Sequence, residues 1–284
     1  MNIVVTGSNG FIATEIIERV KQKYPGSVVH ELSRDNINLL DSKEVDSFFE
    51  NNSVDVVVHT AAEGGRRNVV DAPSVFHSNV RMFENIAKNH SHFKMMINFS
   101  SGAEMDRSTD IVYASEKNFV ENVTLIPKDY YGFSKFIITK RIHSSSFENI
   151  FNIRIFNVFG EKEKEDRLIK SCVKNALKGN PLVIHRNKWM DFFSVSDLFT
   201  VLEHIVLNYD TEDIPTDINM CYPDKYTLEE IATLIKKLTE SDSPIVIESR
   251  ELTPSYYGSG NALKSLNLPL LGFKASLQKL LECA

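Results

Sequence analysis

The chain has few cysteines, and neither they nor its histidines follow a metal-binding pattern. Cys172, Cys221 and Cys283 are the three cysteines among 284 residues and lie far apart, and the eight histidines include no HxxxH or similar pair. These absences argue against a structural zinc site and against a disulfide framework. We therefore expect no bound metal and a reducing, cytoplasmic setting.

Long apolar runs and an excess of basic residues are also lacking. No apolar run approaches the roughly 20 residues of a membrane span, and the N-terminal MNIVVTGSNG has no basic stretch followed by an apolar one. Neither a membrane anchor nor a signal peptide is predicted. The net charge of -6 argues against nucleic acid as a partner. It does not exclude an anionic small molecule, because local loops rather than net charge form such sites.

What the chain does contain is an alternation of strand-like and helix-like segments. Short runs rich in β-branched and aromatic residues alternate with longer stretches whose apolar residues recur at helical spacing. This alternation predicts an α/β fold, in which a Rossmann-type, doubly wound parallel sheet is wrapped by right-handed crossovers. The predicted strands of this sheet are 2–5, 27–32, 54–60, 94–100 and 150–158.

The pattern changes after the charged stretch EKEKED. Further helical patterns follow it, and the third of them begins with Thr227 and Glu230 spaced as a capping box. We expect residues 1–160 to form a dinucleotide-binding domain, with elements that return near 185–207. Residues 161–284 are expected to form mainly a smaller α/β substrate domain.

A glycine-rich turn follows the first predicted strand. In TGSNGFIATEII, two glycines stand between strand and helix, with Ala13 where a third glycine often stands. Such a turn lets backbone N–H groups and a helix N-terminus approach a pyrophosphate. A tight turn without a ligand is the alternative. The predicted contact residues are Gly7, Ser8, Asn9, Gly10, Phe11 and Ile12.

The end of the second predicted strand bears on which dinucleotide binds. HELSRDN places Ser33 and Arg34 at this tip, where NAD-binding sites usually have Asp or Glu for the ribose hydroxyls. A hydroxyl and a guanidinium suit the 2′-phosphate of NADP, which a carboxylate would repel. The sequence therefore favours NADP(H), with a solvated arginine at a strand end as the alternative.

The stretch YYGFSK at 130–135 contains a tyrosine and a lysine at helical spacing. Only Tyr131 and Lys135 are four residues apart, which on a helix puts both side chains on one face. Tyr130 has Ser134 at the corresponding position. On spacing alone, this is either a catalytic tyrosine beside its lysine or the start of an amphipathic helix.

Five motifs in order give the chain a family resemblance. TGSNGFI, HTAA (59–62), SNV (78–80), the Tyr131–Lys135 pair and RIFNVFG (154–160) together resemble the extended short-chain dehydrogenase/reductase family of NAD-dependent epimerases and dehydratases, which act mainly on nucleotide sugars. The stretch from SRDNINLLD to HTAAEGG is similar to the corresponding part of GDP-fucose synthase and related NADPH-dependent 4-keto-sugar reductases. The resemblance covers residues 1 to about 205.

The resemblance implies roles for individual residues. Tyr131 would be the general acid/base, and Lys135 would bind the nicotinamide ribose and stabilise the ionised tyrosine. Ser101 would hydrogen-bond the same substrate oxygen. Further contacts are implied to the cofactor from Leu39, Ala61, Ala62 and Ser100, and to the nucleotide sugar from Asn157 and Arg186.

The loop after the fourth predicted strand, SSGAEMDR, indicates which reaction is expected. The family's dehydratases have an Asp-Glu pair directly after the catalytic Thr, where this chain has Gly102 and Ala103, with Glu104 one position later. GDP-fucose synthase has a cysteine at the position of Ala103 and a histidine in the substrate domain, which GEKEKEDRLIK lacks. Dehydration and epimerisation before reduction are thereby disfavoured, and plain ketone reduction is expected.

The substrate side departs from the family at one motif. Met190-Asp191-Phe192 stands where the family has Arg-Asp-Phe, so one phosphate or ribose contact is missing. Other basic residues could supply the missing contact, but for each of them the alternative is a solvated side chain that contacts no ligand. The candidate substitutes are Arg167, Lys170, Lys174 and Arg186, and Arg66 and Arg67 stand on a loop that would face the sugar.

Three functions remain open from the sequence. The first is NADPH-dependent reduction of the 4-keto group of a nucleotide-linked 4-keto-6-deoxy sugar, without epimerisation, in polysaccharide biosynthesis. The second is a nucleotide-sugar 4-epimerase with tightly bound NAD, against which Ser33 and Arg34 argue. The third is a non-catalytic NADP-binding scaffold. The resemblance also implies a homodimer, through a four-helix interface that includes the YGFSK helix.

Overall fold

The structure, a computed structural model, describes residues 1–66, 69–145, 147–249, 251 and 253–282. The described helices are α1 (Phe11–Lys23), α2 (Ser42–Asn51), α3 (Pro73–Ala87), α4 (Glu116–Glu121), α5 (Tyr130–Ser144), α6 (Leu168–Leu177), α7 (Val195–Asn208), α8 (Leu228–Leu238), α9 (Asn261–Ser265) and α10 (Phe273–Glu282). None of them is long and apolar enough to cross a membrane.

The strands are mostly short. They are β1 (Asn2–Thr6), β2 (Val28–Leu32), β3 (Val56–His59), β4 (Met95–Ser101), β5 (Ile111–Ala114), β6 (Ile150–Ile155), β7 (Val158–Phe159), β8 (Leu182–Arg186), β9 (Trp189–Met190), β10 (Phe193–Ser194), β11 (Asp217–Met220), β12 (Tyr226–Thr227), β13 (Ile245–Ser249) and β14 (Tyr256–Gly258). The five strands predicted from the sequence are all present, the last of them divided into β6 and β7.

The chain divides into two compact units. The first contains Met1–Asp106, Glu116–Arg154 and Leu202–Ile218, and the second contains Arg107–Ser115, Ile155–Val201 and Asn219–Ala284. The segment that returns to the first unit is therefore 202–218, whereas the return was predicted near 185–207.

A six-stranded sheet forms the first unit, in the order β11-β6-β4-β3-β1-β2. β1 pairs in parallel with both β2 and β3, and β3 pairs in parallel with β4. This confirms the predicted α/β fold with a parallel sheet. Because the chain adds β2 on one side of β1 and β3 on the other, the carboxyl ends of β1 and β3 flank a switch point, where ligands bind in such sheets.

Local sequence signals set the helix boundaries. The Asp41 side chain accepts from two backbone N–H groups at the start of α2, and the Asp129 side chain accepts from Gly132 N–H at the start of α5. The predicted capping box of Thr227 and Glu230 is present at α8. Behind the sheet, α3 and α5 pack together over a core that includes Phe83, Met96 and Ile138.

The second unit has several small sheets instead of one large sheet. A four-stranded sheet has the order β12-β9-β14-β5, and two pairs, β13-β8 and β10-β7, lie beside it in the same unit. Asn219 links two strands of the four-stranded sheet. Its Nδ2 donates to Ala114 O at the end of β5 and to Ser259 O just after β14, both at 3.0 Å.

Candidate active site

The glycine-rich turn and the loop after β3 meet at the switch point. Gly7 has a φ of +67°, and a Cβ there would stand 2.9 Å from Ala61 Cα, so only glycine fits. Gly10 N–H donates to Gly7 O at 2.8 Å and closes the turn. Among the residues that the structure describes, no side chain caps the N-terminus of α1, and the first turn of this helix has no acidic residue. The exposed N–H groups and the helix dipole therefore suit the pyrophosphate of a dinucleotide.

The other predicted residues of this turn lie around it. Ser8 is buried and its N–H donates to Leu32 O at 3.1 Å, while Asn9 is exposed. Phe11 and Ile12 are partly exposed in the first turn of α1. Leu39 is buried in the core of the first unit, and its predicted contact with the cofactor stays a prediction.

Two carboxylates that the sequence reasoning did not consider lie around the tip of β2, Asp35 just after the strand and Glu63 on the loop after β3. Arg34 projects into solvent with 82% of its side chain exposed, and its Nη2 contacts Glu63 Oε1 at 2.6 Å. Asp35 Oδ2 accepts from Asn9 Nδ2 at 3.0 Å and from Ser33 Oγ at 3.3 Å. Arg34 is thus accessible to a phosphate, but a carboxylate already pairs with it. No sequence signal joins Glu63 to a residue 29 positions away.

Tyr131 and Lys135 lie together on α5, beside the end of β4. Lys135 Nζ is 5.8 Å from the centroid of the Tyr131 ring and donates to Phe99 O at 2.8 Å. Ser101 ends the same strand, and its Oγ accepts from Ala103 N–H. Tyr131 is partly exposed, whereas Ser101 and Lys135 are buried. The structure therefore brings the three predicted catalytic residues into one region of the first unit.

The close approach of α5 to the turn 102–104 depends on a glycine. A Cβ on Gly132 would stand 2.4 Å from Ala103 O, which no side chain tolerates. Gly132 lies between Tyr131 and Lys135, so the first turn of α5 rests directly on the backbone that follows Ser101. The second glycine-dependent contact is at Gly65, where a Cβ would lie 3.0 Å from three atoms of the Tyr131 ring.

Asn79 fixes the loop after β3 against α5. Its Oδ1 accepts from Glu63 N at 2.7 Å, and its Nδ2 donates to Glu63 O at 3.1 Å and to Ser134 Oγ at 3.0 Å. Ser134 Oγ in turn donates to Tyr131 O at 2.6 Å. The SNV motif therefore has a structural reason: its asparagine holds the loop 61–66 beside the predicted catalytic helix.

Burial controls the charges around Lys135. It lowers the Lys135 pKa to about 8, opposed by the negative charge of Glu104. His59 is buried beside it, and burial together with the Lys135 charge lowers the His59 pKa to about 3. The imidazole is therefore neutral, and its Nδ1 bonds Thr6 Oγ1 at 2.8 Å.

Contacts with other residues hold the Glu104 carboxylate, so it is not available to transfer a proton to a substrate. It is 1% exposed, and its Oε1 accepts from Arg154 Nε at 2.7 Å and from Ser100 Oγ. Ala103, where GDP-fucose synthase has a cysteine, is fully buried and apolar. The loop after β4 thus presents neither a free acid at position 104 nor a thiol.

The predicted substrate residues belong to the second unit. Asn157 is buried and its Nδ2 donates to Asp191 O at 2.7 Å, while Arg186 is exposed at the end of β8. Lys225, which the sequence reasoning missed, has a side chain that is 5% exposed and contacts both Asp191 carboxylate oxygens, at 2.8 and 3.0 Å. It also donates to Tyr222 O at 2.7 Å, so it neutralises the Asp191 that follows Met190.

The other basic candidates have partners of their own in the second unit. Arg167 contacts Glu163 at 3.5 Å, Lys170 donates to Glu161 O, and Lys174 contacts Glu165. Arg66 is an exposed residue of the first unit. Arg67, predicted beside it, and the cysteine Cys283 lie outside the described residues.

Comparisons with known proteins show the family of this chain. The NAD dependent epimerase/dehydratase family matches residues 3–221. The dTDP-glucose 4,6-dehydratase of Haemophilus influenzae is 25% identical over 74% of this chain and 70% of its own length. The GDP-6-deoxy-D-talose 4-dehydrogenase of Aggregatibacter actinomycetemcomitans is 24% identical over 84% of this chain and 80% of its own.

Solved structures share the fold. The GDP-mannoheptose C4 reductase from Campylobacter jejuni, solved with NADP bound, has a TM-score of 0.83 at 16% identity, and the match covers 99% of this chain and 97% of that one. A UDP-glucose 4-epimerase from Thermus thermophilus with NAD has a TM-score of 0.74 at 18% identity, with 99% and 98% covered. A nicotinamide dinucleotide is the cofactor class of such proteins. Since the family match spans most of its length, this chain belongs to the NAD-dependent epimerase/dehydratase family, the extended short-chain dehydrogenases/reductases.

Proposed function

We propose that this protein uses NADPH to reduce the 4-keto group of a nucleotide-linked 4-keto-6-deoxy sugar, without epimerisation. The observation that carries the proposal is the grouping of Ser101, Tyr131 and Lys135, next to a loop whose Glu104 is paired with Arg154 and whose Ala103 is apolar. Ketone reduction needs the first three residues. Dehydration, and epimerisation of the carbons next to C4, need groups that the loop does not supply at these positions.

Side chains of this protein would donate the proton and stabilise the charges that develop. The bound cofactor would supply a hydride to the carbonyl carbon. Tyr131 Oη would give its proton to the carbonyl oxygen, and Ser101 Oγ would donate a hydrogen bond to the same oxygen. The ammonium group of Lys135, 5.8 Å from the Tyr131 ring centroid, would stabilise the phenolate that remains.

The preference for NADP(H) rests on Arg34. Its side chain is 82% exposed, and its ion pair with Glu63 lies at the surface, where such pairs stabilise little. A 2′-phosphate carries more charge than a carboxylate and would replace Glu63 as the partner of the guanidinium. Ser33, whose Oγ bonds Asp35, stands beside it.

The names of similar proteins support a nucleotide sugar as the substrate class. The Aggregatibacter relative is a 4-dehydrogenase of a GDP-linked 6-deoxy sugar, and the Campylobacter structure is a GDP-linked C4 reductase. The Haemophilus relative is a dehydratase, and its reaction is the one that the buried Glu104 argues against in this chain.

The test is an incubation of the protein with NADPH and a panel of GDP-, dTDP- and UDP-linked 4-keto-6-deoxy sugars in deuterated water. We expect one equivalent of NADPH to be oxidised per alcohol formed, and NMR of the product to show no deuterium at the carbons next to C4. Deuterium at those carbons would show epimerisation there. In a parallel incubation with NAD and nucleotide-linked 4,6-dihydroxy sugars, formation of a 4-keto-6-deoxy product would show dehydration. Tyr131→Phe is the matched control, since it removes a single oxygen.

A 4-epimerase with tightly held NAD is the second candidate, and the carboxylates around the tip of β2 favour it. Asp35 follows the end of β2, from which an acidic side chain accepts hydrogen bonds from the ribose hydroxyls of NAD, and Glu63, on the loop after β3, pairs with Arg34. Denaturing the purified protein and identifying the released dinucleotide separates the two. Stoichiometric NAD supports the epimerase, and an empty protein that binds added NADPH supports the reductase.

A further inference from the structure

The ammonium group of Lys225, in the second unit, has three hydrogen-bond acceptors. Its Nζ contacts Asp191 Oδ1 at 2.8 Å and Oδ2 at 3.0 Å, and it donates to Tyr222 O at 2.7 Å. It also lies 5.8 Å from the centroid of the Tyr257 ring. The Lys225 and Asp191 side chains are 5% and 3% exposed. Because an ammonium group has three N–H donors, these acceptors engage all of them, and Lys225 holds Asp191 instead of presenting its charge to a ligand.

Asp191 is held through its backbone as well as its side chain. Its Oδ2 accepts from Gly258 N–H at 2.8 Å, and its own N–H donates to Tyr256 O at 3.2 Å. Its carbonyl oxygen accepts from Asn157 Nδ2 at 2.7 Å. The carboxylate and the carbonyl belong to one residue, so the contacts of the carboxylate set the place of the acceptor that Asn157 uses.

The backbone around Asp191 has few hydrogen bonds of its own. Asp191 lies between β9 and β10, which have two residues each, and such short strands form few ladder hydrogen bonds. Phe193 N–H donates to Asn157 O at 2.9 Å, so the segment contacts Asn157 twice. The position of this segment therefore depends on the buried side-chain contacts of Asp191.

The cation at this place comes from a distant part of the chain. Met190, which stands where the family has arginine, is buried and apolar. Lys225 lies 34 positions after Asp191, just before β12, and supplies a positive charge beside the same segment.

We propose that Lys225 is a positioning residue for the nucleotide sugar, which acts through Asp191 to hold the side-chain amide of Asn157 in its substrate-binding orientation. Without the ammonium group, the Asp191 carboxylate would be buried with its main partner removed, and the segment would shift to relieve that cost. Asn157 would then lose the fixed acceptor of its amide. The inference rests on the proposed function, with Asn157 as the nucleotide-sugar contact that the family resemblance implies.

The test compares Lys225→Met with a matched control, Tyr222→Phe. The first variant removes the ammonium group and keeps most of the apolar side chain. The control removes a hydroxyl of the same unit that donates to Asp197 Oδ2 at 2.6 Å and accepts from Ser194 N–H at 3.2 Å, and it keeps the backbone oxygen that Lys225 uses. The measurement is the hydrogen exchange of the Asn157 side-chain amide by nitrogen-15 NMR, in protein without cofactor or substrate. Asn157→Asp assigns the signal.

We expect the Asn157 amide to exchange at least about tenfold faster in Lys225→Met and within about twofold of the unchanged protein in Tyr222→Phe, since the loss of one hydrogen bond changes a local opening equilibrium by about tenfold. An unchanged rate in Lys225→Met, or equal acceleration in both variants, would overturn the inference. If Lys225→Met does not fold, the double variant with Asp191→Leu replaces the buried pair by apolar side chains, a change that proteins often tolerate. Its Asn157 amide is also expected to exchange faster, and an unchanged rate there would overturn the inference too.

Activity gives a second readout, through a double-mutant cycle. With an active substrate, Lys225→Met is expected to raise KM for the nucleotide sugar about tenfold, while kcat changes by less than about twofold and the Kd of NADPH stays the same. In an Asn157→Ala background, the same replacement is expected to raise KM no further, because the residue through which Lys225 acts is already gone. A full tenfold rise in that background would reject the route through Asn157.

The exchange measurement needs no turnover, so the two proposals can fail separately. A faster Asn157 amide in a protein that reduces no ketone would reject the proposed function and keep the role of Lys225 in holding Asn157. An active reductase whose Asn157 amide is unaffected by Lys225→Met would reject the positioning role and keep the function.

Discussion

Replacing Asn79 by alanine removes the side chain that holds the loop after β3 against α5. Asn79 is 2% exposed and makes three hydrogen bonds, two to the backbone of Glu63 and one to Ser134 Oγ. At about 1 kcal/mol for each buried hydrogen bond, Asn79→Ala is expected to lower the free energy of unfolding by about 3 kcal/mol. Urea denaturation followed by circular dichroism measures this loss.

The matched control is Asn85→Ala on the same helix. Asn85 is also buried, but its side chain makes one hydrogen bond, from Nδ2 to Leu39 O at 2.9 Å. Its loss is expected to cost about 1 kcal/mol. The difference of about 2 kcal/mol between the two variants then reports the extra contacts of Asn79, because the same atoms are deleted from both.

Asn79→Ala is also expected to slow turnover, since the loop that it releases contains Gly65, whose backbone lies against the Tyr131 ring. We expect kcat to fall about tenfold or more in Asn79→Ala and by less than about twofold in Asn85→Ala. Equal destabilisation of the two variants, or an Asn79→Ala protein with full kcat, would refute the reasoning.

Three more outcomes follow from the site and its surroundings. Burial raises the Glu163 pKa from 4.5 to about 7, so the free energy of unfolding falls by about 3 kcal/mol as pH rises through that interval. Glu163→Gln is expected to abolish this loss. In urea denaturation, the variant should therefore differ from the unchanged protein above pH 7 and not at pH 4.5. Arg34→Ala is expected to weaken the binding of NADP(H) at least about tenfold more than the binding of NAD(H). Glu63→Gln is expected to strengthen NADP(H) binding, because it removes a competing carboxylate. Equal losses of affinity for both cofactors in Arg34→Ala would contradict the assignment of the β2 tip. Tyr131→Phe is expected to retain NADPH binding by fluorescence while kcat falls by about two orders of magnitude, and unchanged turnover would remove Tyr131 from the mechanism.

Features set by neighbouring residues were predictable from the sequence. The apolar runs around Val4, Val57 and Met96 indicated the central strands, and these three residues have no exposed surface. The capping box at Thr227 depends on a residue three positions away, and it is present. Such signals act within one turn or one strand, so periodicity and caps show them directly.

Pairs distant in the chain were not predictable. Glu63 pairs with Arg34, Lys225 with Asp191, and Arg154 with both Glu104 and Asp217, across 29 to 63 positions. No local pattern records these pairings, because each depends on how the sheets bring strands and loops together. The short strands of the second unit, such as Ile111–Ala114, escaped prediction because four residues carry too little periodicity.

Arg154 also limits the mutational paths open to this chain. Removing one partner from a buried ion pair costs about 3–5 kcal/mol, a large part of the roughly 5–15 kcal/mol that holds a domain folded. A single replacement at position 104, 154 or 217 leaves charge unmatched in the core of the first unit. A lineage that exchanges this cluster for apolar residues must therefore change several positions nearly together, and a chimera that inherits them from different parents is expected to fold poorly.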